Sequence, residues 1–128
     1  MKKYLPLFIL SNLYGQCDSA YTYYSELPSN VTIQIGDSCL YDPDIEVLDS
    51  IISKNNLNYQ SPLELGTQTW FNGRLRFMVA GNYGNSSGVN DTIYVLPENI
   101  GHWTGMASLY LEWNRISNLP ESFSDMEG

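Results

Sequence analysis

Few residues in this sequence could do covalent or metal chemistry. There is one histidine, His102, and there are two cysteines, Cys17 and Cys39. A structural zinc site takes about four Cys or His ligands and a nucleophile needs a base beside it, so these three cannot build either alone. His102 follows Ile100-Gly101 with no second His or Cys close by, which reads as a solvated turn residue. Asp42, Asp44 and Glu46 alternate like calcium-loop ligands, yet Val47 stands where such a loop turns on glycine and Ser53 where it places its bidentate acid. Helix capping explains these acids better. Serines abound without the His and Asp partners of a catalytic triad. No catalytic residue, metal or cofactor is therefore expected, and the chain reads as non-catalytic.

What remains is recognition chemistry. Ten Tyr, three Trp and four Phe supply the side chains that interfaces favour, because they bury large area at modest entropic cost. The formal charge of −8 lacks the basic footprint of nucleic-acid binding or of attraction to an anionic membrane surface. A partner with a basic or neutral surface suits it better. Asn30-Val31-Thr32, Asn85-Ser86-Ser87 and Asn90-Asp91-Thr92 would be glycan acceptors in a eukaryotic secretory pathway. In so Asn- and Ser-rich a chain, such matches also arise by chance.

The amino terminus gives the address. Met1-Lys2-Lys3 followed by the apolar run Tyr4 to Leu10 and the small residue Gly15 reads as a secretory signal peptide over residues 1–16, too short to span a bilayer. A lipid anchor on Cys17 is the rival reading, although Gln16 stands where a lipoprotein signal prefers Gly or Ala. Export makes a Cys17–Cys39 disulfide reasonable. The expectation is a secreted or cell-surface protein with no membrane insertion.

Local patterns suggest how the rest is organised. Tyr21 to Tyr24 and Val31 to Ile35 are β-prone runs around the turn-forming Leu27-Pro28-Ser29-Asn30, which predicts a hairpin closed by the cystine. Asp42-Pro43-Asp44 predicts a helix start with Asp42 as the cap, and Ile45, Leu48, Ile51 and Ile52 share its apolar face. Asn55-Asn56 ends it. Asn58 to Asn72, with Pro62 and Gly66, reads as a connecting loop anchored by Leu63, Leu65, Trp70 and Phe71.

The carboxy-terminal part repeats itself. Leu96-Pro97, Ile100 and Trp103 recur as Leu119-Pro120, Phe123 and Met126, shifted by 23 residues. Between them runs Met106-x-x-Leu109-x-Leu111-x-x-Asn114-x-Ile116-x-x-Leu119-Pro120. This pattern resembles a leucine-rich repeat, complete over residues 106–128. A degenerate copy over 74–105 aligns Phe77, Val79 and Asn82 with Leu109, Leu111 and Asn114, and carries an insertion between Asn82 and Leu96 with the composition of a surface loop. Residues 42–76 resemble, in order of elements, the amino-terminal cap of plant-type extracellular leucine-rich-repeat proteins, without the cysteine pair that usually flanks the Trp.

The resemblance implies an α+β fold: a capping region over 17–73, made of hairpin, helix and loop, then a short solenoid of about two repeats, read as a truncated array. Asn82 and Asn114 would be rungs of an asparagine ladder, Leu109, Leu111 and Leu119 would fill the interior, and Pro120 would open the convex side. The concave surface, where such proteins usually bind protein ligands, would display Arg76, Met78 and Ala80, then Ser108, Tyr110 and Glu112, with Trp113 at the sheet edge. Partners would be a protein ligand or further repeats of the same chain, and the uncapped carboxy-terminal end would favour self-association. Two other functions fit the same sequence: a carbohydrate-binding module stacking sugars on Tyr23, Tyr24, Trp103 and Trp113, and an attachment module of a larger secreted or cell-surface protein.

Overall fold

The computed structural model describes residues 16–126, so the leader expected over 1–16 lies outside the described residues apart from Gln16. Cys17 and Cys39 form a disulfide, 5.7 Å between Cα atoms. It closes the small sheet, in which β1 (Tyr21–Tyr23) runs antiparallel to β3 (Cys39–Tyr41). The chain passes directly from β3 into α1, Asp42–Lys54. Pro43 sits in the first turn, and Val47, Leu48, Ile51 and Ile52 form the buried stripe at helical spacing. Asp42 is not the cap. Tyr41 holds that position without a side-chain bond, and the Asp42 carboxylate instead accepts the Thr22 hydroxyl at 2.6 Å.

The second sheet has the order β2-β4-β5-β6, from Val31–Ile35, Thr67–Phe71, Arg74–Val79 and Ser108–Tyr110. β2 is parallel to β4, β4 antiparallel to β5, and β5 parallel to β6. Asn72 and Gly73, at φ 49° and 79°, make the tight turn that forces the antiparallel step. A side chain at Gly73 would also strike the Cys39 carbonyl, 2.6 Å from where its Cβ would lie. The core lies between the inner face of this sheet and α1, where Trp70, Leu75 and Met78 meet Leu48 and Ile51. Ile93, Leu96, Ile100, Trp103 and Met106 extend it.

This architecture corrects the expected fold. The described residues form one α-helix and two sheets, with no solenoid. A solenoid stacks its repeats so that each strand lies parallel to the next, but here the β4–β5 hairpin joins strands from outside the repeating region into the same sheet. The predicted hairpin of residues 21–24 with 31–35 is also absent: its two arms belong to different sheets. The predicted loop 58–72 contains β4, an interior strand held on both sides.

The repeat alignment slips as well. Phe77 pairs with Ser108 and Met78 with Leu109, one residue away from the alignment of Phe77 with Leu109. A slip of one turns every side chain to the opposite face. Its origin is a bulge: Thr69 pairs with Phe77 but Trp70 with Leu75, so Arg76 is the extra residue in β5. Leu75 points inward, and after Arg76 the inward positions become Met78 and Ala80, both fully buried.

Candidate functional site

The pairing registers assemble the outward face of the large sheet. Thr32, Thr69, Phe77 and Ser108 lie level in one row across it, and Thr67, Val79 and Tyr110 in the next. Met78 and Ala80, expected on this face, are on the other side of the sheet, with Phe77 and Val79 in their place. Arg76 is exposed, its guanidinium 5.3 Å from the Phe71 ring centroid and 5.9 Å from that of Phe77. Ser108 is half-buried and Glu112 exposed.

Past Phe77 and Val79 the next outward position is Gly81, and the ring of Tyr83 lies over it. A Cβ at Gly81 would come within 2.4 Å of that ring, so only glycine lets Tyr83 lie there. The Tyr83 hydroxyl donates to the Glu112 carboxylate, and this bond pushes the phenol up to about 12. The insertion around it is tied down: Val89 N–H donates to the Gly81 carbonyl at 2.9 Å, Thr67 Oγ1 to the Ser87 carbonyl at 2.6 Å, and the Tyr59 hydroxyl to the Val89 carbonyl at 2.8 Å.

Tyr110 and Trp113 dominate the β6 end, 46% and 77% exposed. Trp113 has φ 66°. The left-handed region is unusual for so bulky a residue and costs about 1 kcal/mol or more. Trp70 and Trp103, by contrast, are fully buried.

The asparagines do not form a ladder. Asn114 Nδ2 donates to the carbonyls of Ala80 and Leu111, both at 2.9 Å, and its Oδ1 accepts from Ile93 N–H at 2.8 Å, which satisfies the turn after β6. Asn82 reaches only Thr92 Oγ1 with its side chain, at 3.3 Å, because the slip sets Tyr83 level with Asn114. Leu109 and Leu111 pack half-buried against the core, and Pro120 precedes the 3-10 turn Glu121–Asp125. Leu119, expected inside, is 59% exposed and lines a cavity of about 200 Å³ with Tyr94 and Val95.

A second polar cluster joins helix to sheet. Asp44 is fully buried and accepts from Arg74 Nε at 2.8 Å, Arg74 Nη2 at 3.2 Å and Leu75 N–H at 3.0 Å. Burial pushes its carboxyl up, opposed by the hydrogen bond from Arg74. That same bond pushes the Arg74 guanidinium up. Arg74 Nη2 also donates to the His102 carbonyl and Thr104 Oγ1, and its guanidinium lies 4.4 Å from the Tyr41 ring centroid. These contacts staple elements together and leave the ion pair little to offer a ligand. The four aromatic residues suggested for sugar stacking are not one platform: Trp103 is buried with Nε1 donating to the Asp44 carbonyl, and Tyr23 belongs to the small sheet.

Among the described residues no group of three or more His, Cys, Asp or Glu is placed to hold a metal ion, and no helix is long and apolar enough to cross a membrane. Pattern reading missed Phe77, Val79 and Tyr83 on the outward face. Gly81, two positions before Tyr83, was the available hint. Compared with protein-family models, characterised proteins and solved structures, the chain matches none.

Proposed function

We propose that this chain is a non-catalytic protein-binding module of an exported protein, and that it meets its partner with the outward face of the large sheet near β6. The observation that carries this reading is Trp113: a large apolar side chain, 77% exposed, in a left-handed backbone that glycine would adopt without cost. Strain at an exposed aromatic contributes nothing to packing and suits a residue kept for contact. Tyr110 and Arg76 add interface-favoured side chains on the same sheet, with the Glu112 carboxylate just past the end of β6. The Cys17–Cys39 disulfide is consistent with an oxidising, extracytoplasmic setting, and the lysine-led apolar start supports export. The leucine-rich-repeat likeness is confined to the residue pattern over β6, the Asn114 turn and the 3-10 turn that follows.

The three tryptophans make the test direct, because Trp113 alone among them is exposed. Binders selected from a displayed library of protein domains should shift Trp113 emission to the blue and shield it from iodide quenching. Tyr110→Ala should weaken them at least about tenfold. Trp113→Gly should do the same while raising stability by about 1 kcal/mol in urea melts, through relief of strain. Binders that leave Trp113 emission unchanged and ignore both substitutions would overturn the reading.

A further inference from the structure

Resting on that reading, we propose how the partner is held: β6 receives an extended segment of it as an added strand, and that segment alternates apolar with basic residues. β6 ends the sheet order, and among the described residues no strand pairs with its outer edge. The Tyr110 carbonyl accepts from Ala80 N–H on the β5 side. Alternate residues of a strand turn their peptide groups to opposite sides, which leaves the N–H and C=O of Leu109 aimed at the open edge.

Side chains on the two faces of β6 give the chemistry of the incoming strand. On the inner face Leu109, Leu111 and Phe123 are only half-buried, whereas Met78 and Ala80 one strand inward are fully buried. Every second residue of an added strand would close this end of the core, so those residues must be apolar. On the outer face the intervening residues would stand beside Tyr110 and Glu112, with Trp113 exposed in the turn that follows. The exposed Glu112 carboxylate, which keeps acceptor capacity beyond the Tyr83 hydroxyl, and the exposed Tyr110 ring favour Arg or Lys, through ion pairing and cation–π contact. Arg76 over Phe71 and Phe77 is the same pairing on the neighbouring strand. The chain's charge of −8 attracts a basic segment and opposes a second copy of itself.

The test uses the oxidised chain and three short synthetic peptides: valine alternating with arginine, valine alternating with glutamate, and the valine–arginine composition with like residues grouped. The alternating basic peptide should bind at least about tenfold more tightly than either control, read from Trp113 emission. It should also slow hydrogen exchange at Leu109 N–H at least about tenfold. Glu112→Gln should narrow its advantage over the glutamate peptide. Equal binding by the grouped peptide would reduce the effect to charge attraction and overturn the inference. Protection of Trp113 without slower exchange at Leu109 would overturn strand addition while leaving the outward-face reading intact. A dimer in light scattering with Leu109 already protected would assign the edge to a second copy. If no peptide binds, the inference fails, and the outward-face reading is still decided by the displayed library.

Discussion

Tyr83 and Glu112 illustrate chemistry that depends on a single contact. A phenol that donates to a carboxylate is held in its protonated form, so Tyr83 should lose its proton near pH 12, above the ordinary tyrosine value of 10.0. Because the folded value lies above the unfolded one, the contact's contribution to stability is complete below the unfolded value and is lost as pH rises through the folded one. Site-selective NMR of the Tyr83 ring carbon should follow this titration, and Glu112→Gln should return it toward 10.0. An unchanged titration would mean that the hydroxyl and carboxylate do not meet in solution.

Between elements the decisive joint is Arg74 with Asp44, which ties β5 to α1. Asp44 is fully buried while the Arg74 side chain is 28% exposed, so the two partners are not equivalent. Arg74→Met should cost about 3–5 kcal/mol at neutral pH by leaving a buried carboxylate unpaired. Without the guanidinium, burial pushes the Asp44 carboxyl still further above its unfolded value. The loss should therefore be complete above the folded value and fade as pH falls through it and the carboxyl takes up a proton. Urea melts across that range would check both parts, and a pH-independent loss would point to packing alone.

For the whole molecule the cystine matters most to the amino-terminal part, because it links Gln16–Asp18, ahead of β1, to β3 and so to the start of α1. Its cysteines are separated by 22 positions, and closing such a loop stabilises the fold by about 3 kcal/mol in the chain-entropy model. Reduction, or Cys39→Ser, should lower stability by that amount in chemical melts, and exchange should quicken first in β1 and β3. The three-dimensional arrangement also explains why the expected solenoid gave way to a mixed sheet. β2 and β4 pair with each other and, through the Asn72-Gly73 turn, with β5, so the sheet is larger than the repeating segment. The β4–β5 pairing has a local signature in Asn72-Gly73, but the β2–β4 pairing has none, since those strands are joined only through β3, α1 and the 3-10 turn Pro62–Glu64.

The helix was legible in the sequence because its causes are local: Pro43 in the first turn, apolar residues at helical spacing, and Asn55 at the end. So was the turn that Asn114 stabilises, since its bond to the Leu111 carbonyl spans three residues. The two cysteines allowed only one internal pairing. Strand register was not legible, because the direction of a side chain in a sheet depends on every residue counted along the ladder, and the single extra residue at Arg76 reversed the count. That bulge exists only because β5 is paired with β4, and it decides that Met78 and Ala80 build the core while Phe77 and Val79 face outward. The outward direction of Ser108 and Tyr110 was thus readable, because β6 runs without a bulge. On β5 it could be settled only by tertiary pairing.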